Sequence, residues 1–168
     1  MATSTFGFWG GASAFLPGAN TLNGSVFTAP ADVGTAVSIS VYVKNANAGR
    51  YIKGVIVTHS DLKIIANGVG GASAEIAAAY DTRTSAFATP PTLIPGTNYV
   101  LMAVCNASAT SWLYDDGDAN QGHEDGSNDY TTPTDPTDAG HTTKKLCIIC
   151  TYNVVATRQI RMAQLHVA

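Results

Sequence analysis

Val37-Ser38-Ile39-Ser40-Val41-Tyr42-Val43 decides the fold class. Apolar and polar side chains alternate without a break. The two-residue period of a strand puts Val37, Ile39, Val41 and Val43 on one face. Two further stretches, residues 99–105 (Tyr-Val-Leu-Met-Ala-Val-Cys) and 146–152 (Leu-Cys-Ile-Ile-Cys-Thr-Tyr), are mostly apolar and of strand length. Such runs predict strands covered on both faces. Residues 24–28 and 51–58 read as strands too, with weaker signals at 64–66 and 74–80. Turn chemistry separates these runs at Pro17-Gly18, Asn23-Gly24, Asn47-Ala48-Gly49, Asn67-Gly68, Pro90-Pro91 and Pro95-Gly96. Glycine supplies positive φ and proline fixes φ, so both end strands at low cost. Short strands at this spacing predict an all-β chain, a single antiparallel β-sandwich of the jelly-roll type.

Composition agrees. The chain has 168 residues, of which 45% are hydrophobic and 12% charged. One domain of this length buries a real core. Charge this sparse, with 25 alanines and 20 threonines, argues against a helical bundle. A net charge of -3 excludes bulk attraction to nucleic acid or to an anionic membrane. Residues 1–10 hold no Lys or Arg and lead into no long apolar run, which predicts no secretory signal. No stretch is long and apolar enough to predict a membrane-spanning helix. Three cysteines cannot complete a disulfide framework. Cys147 and Cys150 share one predicted strand, and an offset of three puts their sulfurs on opposite faces. They are expected to stay unpaired and to pack in the core.

Two segments leave the strand pattern. Residues 115–143 hold eight of the 12 acids and no Lys or Arg. A connection this long in a compact domain is functional or disordered. Residues 153–168 follow the last predicted strand and carry Arg158 and Arg161 without an acid. Their apolar residues, among them Ile160, Met162 and Leu165, show no clean period. This C-terminal extension is expected to be an assembly arm (Arg158, Ile160, Arg161, Met162, Leu165) on a jelly-roll domain of residues 1–152. A final strand of the same sheet is the competing reading.

The order of turns and strand edges carries a resemblance. Its parts are residues 24–30, the 34–43 strand, Ser60-Asp61-Leu62, residues 93–101, Tyr114-Asp115-Asp116-Gly117, Asn120-Gln121-Gly122 and Cys150-Thr151-Tyr152. Over residues 6–152 the chain resembles a jelly-roll module of environmental phage and prokaryotic surface sequences. It is similar to carbohydrate-binding modules in layout and to phage virion decoration proteins in size. These are fold motifs, and they imply an architecture more than an activity.

Site chemistry is sparse. Asp116-Gly117-Asp118-Ala119-Asn120 opens like a calcium loop, because Ca²⁺ takes six to eight oxygens. The EF-hand pattern fails at Gln121 and Ser127. A loop site on Asp115, Asp116, Asp118 and Asn120, with Asp125 in reserve, competes with a solvated acidic loop, which is the preferred reading. No other cofactor is implied. His59, His123, His141 and His166 show no ligand spacing, His123-Glu124 does not continue as a zinc helix, and no nucleophile motif is present. Trp112 and Tyr114 lead into the acidic loop. With Asp116, Asn120 and Gln121 they form a candidate glycan site of stacking rings and hydroxyl-binding groups. Core filling is the competing role for those rings.

The expectation is therefore a non-enzymatic virion protein, a capsid decoration or cement protein that binds the major capsid protein and itself as a homotrimer on the capsid surface. The alternative is an extracellular carbohydrate-binding module that uses Trp112, Tyr114 and the acidic loop.

Overall fold

A computed structural model describes residues 2–137 and 140–155. Among these residues there is no helix, and 13 strands form two antiparallel sheets. In chain order the strands are β1 Thr3–Phe8, β2 Ser13–Phe15, β3 Leu22–Thr28, β4 Val33–Lys44, β5 Ile52–Thr58, β6 Ile64–Val69, β7 Asp81–Ala86, β8 Asn98–Cys105, β9 Ser111–Asp116, β10 Gly122–Asp125, β11 Gly140–Thr142, β12 Lys144–Leu146 and β13 Ile148–Val154.

One sheet runs β1-β13-β4, with β7 on the other edge of β4; the facing sheet contains β3-β8-β5-β6. Neighbours in space are far apart in sequence, and the chain crosses repeatedly between sheets. That interleaving is the jelly roll. The remaining strands decorate this frame. β9, β10, β11 and β12 all lie in the excursion between β8 and β13. There β9 pairs with β2 and β12, and β10 joins β3 to β11.

The core between the sheets contains Ile39, Val41 and Val43 of β4, Ile52 and Ile56 of β5, Tyr99, Leu101 and Ala103 of β8, and Ile148, Cys150 and Tyr152 of β13. The sheets approach closely at Gly54, where a Cβ would lie 2.4 Å from that of Ile39. Ser25 of β3 stitches the sheets together. Its hydroxyl donates to the Lys144 carbonyl and accepts from the Leu146 N–H.

The 37–43 alternation holds from Ile39 onward but not at Val37. The register of β13 against β4 shifts between Ser38 and Ala36. This bulge leaves Val37 half-buried and turns Ala36 into the core instead. The predicted 146–152 strand is also broken, at Cys147. Cys147 N–H donates to the Leu113 carbonyl of β9, while its own carbonyl accepts from Tyr42 of β4. The chain there leaves β9 and passes to β4. All three cysteines are buried and free, including Cys147 and Cys150. Residues 74–80 form no strand; the strand lies at β7. The last strand runs two residues past the expected boundary at 152, since Asn153 pairs with Thr3 and Val154 with Val33. Most of the expected assembly arm, with Arg158, Ile160, Arg161, Met162 and Leu165, lies outside the described residues.

The acidic stretch is built into the fold. The outer face of the second sheet presents Leu22, Val55, Val57, Val100, Met102 and Val104, all fully buried, with Tyr130 packed against them. Residues 126–137 lie over this face. Tyr130 N–H donates to Asn20 Oδ1, Lys53 Nζ donates to the Thr131 carbonyl, and Ile64 N–H donates to Asp135 Oδ1. The Ile64 N–H bond, with the Lys63 ammonium at 3.1 Å, holds the Asp135 carboxyl below the usual carboxylate range.

A second core has a measurable signature. Met102 faces the acidic cover and Leu101 faces the other sheet, so Met102→Ala and Leu101→Ala should each cost about 2–5 kcal/mol. Urea denaturation of both variants checks this. A change within about 0.5 kcal/mol for Met102→Ala, as at a solvent-facing position, would show that the cover buries nothing of consequence.

Candidate functional site

A cleft of about 270 Å³ opens where β3 ends and β8 begins. Phe27 and Thr28 come from β3, Asn98 from β8, and His59 from the residue after β5. Asp118, Asn120 and Gln121 come from the turn between β9 and β10. That turn is pinned to β3. Val26 N–H donates to the Gln121 carbonyl, and Gln121 Nε2 donates to the Val26 carbonyl at 2.6 Å. Gln121 N–H closes the turn on the Asp118 carbonyl. Asn120 sits at φ 62°, a left-handed conformation that asparagine tolerates better than most residues. Across the cleft, Thr28 Oγ1 donates to Asn98 Oδ1 at 2.7 Å. The walls thus combine a carboxylate, three amides and a hydroxyl with the His59 ring, while the Phe27 ring packs on the core between the sheets. Hydrogen-bonding groups beside a flat ring suit a polyhydroxylated ligand.

The predicted glycan residues do not stay together. Trp112 is only 2% exposed. It stands opposite Val43 in the ladder and packs edge-on against Phe15, so it fills the core and cannot stack on a sugar. Tyr114 is half-buried, also against Phe15, with the Lys144 ammonium 5.9 Å from its ring. Asp116 is exposed at the end of β9, opposite Lys144. Asn120 and Gln121 do reach the cleft, joined by Asp118.

The predicted calcium residues spread in the same way. Asp115 Oδ1 accepts from Ala12 N–H, and Asp118 and Asn120 face the cleft. Asp125 is buried, with its two oxygens on Ser127 N–H and Asn128 Nδ2, where it shapes the loop. As the side chains stand, no group of three or more His, Cys, Asp or Glu among the described residues is set to hold a metal ion.

Sequence reasoning missed two features. On the outer face of the first sheet, Trp9 is 49% exposed and leans on Tyr42, which stacks on Tyr80 at 5.7 Å. Beside the cleft, three histidines come together. His123 of β10 lies directly opposite His141 of β11, with ring centroids 4.7 Å apart. The His59 ring lies 5.3 Å from that of His123 on another side. Spacing along the chain could not show this, because pairing of β10 with β11 and the end of β5 bring the rings together.

His123 is 2% exposed, and neither of its ring nitrogens has a partner. Burial, then the neighbouring His141 and His59, pushes its pKa down to about 4 from the usual 6.5. The folded chain therefore resists a proton that the unfolded chain binds. Stability should be full above pH 6.5 and fall as the pH drops from there through 4, by on the order of 2–3 kcal/mol. Asp81 and Asp135, held below the ordinary 3.8, act only at lower pH. Denaturant midpoints between neutral pH and pH 4, in EDTA, check this against His123→Gln. The variant should lose the slope in that window, and an equal slope in both proteins would assign it elsewhere.

No protein-family model and no curated protein matches the chain. Four chains of solved structures match its fold. One is the clostridial cysteine protease Cwp84 after propeptide cleavage, at 11% identity and TM-score 0.55, covering 91% of this chain and 40% of that one. Another holds the cysteine protease and lectin-like domains of Cwp84, a surface layer associated protein of Clostridium difficile. It matches at 9% identity and TM-score 0.56, covering 91% of this chain and 36% of that one. The chain spans about two fifths of the length of these proteins, and the likeness is one of fold: an all-β sandwich.

Proposed function

We propose that this chain is a non-enzymatic, extracellular glycan-binding module, and that its ligand enters the cleft between Thr28, Asn98 and the Asp118–Gln121 turn. The observation that carries the reading is the convergence there of Asp118, Asn120, Asn98 and Thr28 beside Phe27 and His59. The cleft lies just below the usual ligand-pocket range of about 300–1,000 Å³, a size for one or two sugar rings rather than a long chain. A sugar offers donors and acceptors around a flat apolar face. The cleft answers with a carboxylate and amides for the hydroxyls and the His59 ring for the apolar side.

Two further points support it. The matched fold occurs in a protein described as having a lectin-like domain. The three cysteines are buried, and burial pushes the Cys150 thiol up to about 12, so no thiolate is presented for a protease-like reaction. The capsid-decoration expectation, with its capsid partner and trimer, takes second place because neither the geometry nor the comparisons bear on it. Capsid and portal genes beside this one would restore it.

A glycan array followed by calorimetric titration of the best hit tests the proposal. Asp118→Ala combined with Asn120→Ala should weaken binding by more than about tenfold, the loss of one or two charge-assisted hydrogen bonds. Trp9→Ala, on the far sheet, should leave it unchanged. An array without hits sinks the reading, and so does binding that survives the double substitution but is lost with Trp9.

A further inference from the structure

A second pocket, of about 480 Å³, shares no residue with the glycan cleft. It belongs to the first sheet. Lys44 is the last residue of β4 and Ser111 the first of β9, Phe15 ends β2 with Leu16 after it, and Ala78 comes from the connection between β6 and β7. Its volume lies inside the range of about 300–1,000 Å³ typical of small-ligand sites. The walls are mostly apolar. Four alanines leave the space open, and Leu16 is 66% exposed. A single exposed leucine needs no explanation, but apolar side chains gathered around one pocket mark a binding surface.

The polar groups of this pocket gather at one place. Lys44 and Ser111 are cross-strand partners. The Ser111 hydroxyl lies 2.6 Å from that of Tyr80, and the Lys44 ammonium lies 4.5 Å from the centre of the Tyr80 ring, a cation–π contact that holds it there. Two hydroxyls share one hydrogen bond, so when Tyr80 O–H donates to Ser111 Oγ the Ser111 proton is left for a ligand. Asn45 has both donors engaged, on the Ser108 carbonyl and Thr110 Oγ1. Among the described residues no acid lines the pocket, and Lys44 makes no ion pair. The polar side therefore offers a positive charge and a hydroxyl donor beside apolar walls. We propose that this pocket binds a small amphipathic carboxylate, with the carboxylate between Lys44 and Ser111 and the apolar body against Phe15, Leu16 and Ala78. A carboxylate accepts hydrogen bonds without donating any, and its charge-assisted bonds are roughly twice as strong as neutral ones. A neutral amphiphile forgoes that gain, a cationic one is repelled by Lys44, and a wholly polar anion leaves the apolar walls wet. The glycan cleft, with its Asp118 carboxylate, is of opposite character.

The test titrates the full chain with sodium octanoate, below the concentration at which it forms micelles, and follows the heat. Octanoate should bind at one site per chain. Octanol and octylamine, which lack the anion, should each bind at least about tenfold more weakly, and so should acetate, which lacks the apolar body. Lys44→Met keeps an unbranched side chain and removes the charge. Ala78→Phe changes an exposed position and fills the pocket. Both variants should keep the far-ultraviolet spectrum of the parent, and each should weaken octanoate binding by about tenfold or more. The proposal is overturned if octanoate does not bind the parent, if octanol, octylamine or acetate binds as tightly, or if either variant binds octanoate as tightly as the parent. No sugar is present in this titration, so its failure leaves the glycan reading standing, and an array without hits leaves the carboxylate site standing.

Discussion

Strand β8 carries the constraint from which the rest of the structure follows. From Tyr99 to Cys105 every side chain is buried, on both faces of its sheet. A strand of that kind needs a cover on each side, since each exposed apolar side chain forgoes about 1.5–3 kcal/mol of burial. The sheet around β4 supplies one cover over Leu101 and Ala103. A chain of this size has no third sheet for the other side, and the acidic stretch takes that place over Val100, Met102 and Val104. A segment with few apolar residues can do so because the sheet brings the apolar surface. The segment brings Tyr130, backbone amides, and the carboxylates of Asp125 and Asp135 that tie its turns down.

This division explains what could be read along the chain and what could not. Alternation in Ile39, Val41 and Val43 reports one covered face, and the unbroken run in β8 reports two, so the sandwich follows from local pattern alone. The bulge at Val37 and the break at Cys147 leave no local mark. Each is imposed by a partner strand, through the β13 register and through the passage from β9 to β4. Aspartate and asparagine in residues 115–143 looked like ligands or solvated turns because their usual roles are those. Asp125, Asn128 and Asp129 do bond within their own turns, but the stretch is tied to the sheet through Tyr130, Thr131 and Asp135, whose partners Asn20, Lys53 and Ile64 lie far upstream. Trp112 misled for a similar reason: its neighbours in sequence are polar, yet it stands opposite Val43 and inside.

The candidate site was half legible. Asn120 and Gln121 belong to a turn motif and are found in the cleft. Thr28, Asn98 and His59 join them only through the pairing of β3 with β8 and of β8 with β5. Sites on sheets are assembled across strands, and the register that assembles them is fixed by burial and not by the site residues.

The cover also decides where a ligand can reach the second sheet. Its hydrogen bonds to Asn20, Lys53 and Ile64 fasten it over the Leu22 and Val104 end and across to β6. None of those bonds reaches Thr28 or Asn98. That end of the sheet stays open, walled by the Asp118–Gln121 turn on one side and by His59 on the other. The histidines lie on this same outer face, because His123 stands opposite Gly24 and His141 opposite His123, and residues opposite one another share a face. Gly24 places no side chain beneath them. The same acidic excursion that completes the core therefore ends by framing a part of that sheet where polar side chains converge on an open cleft.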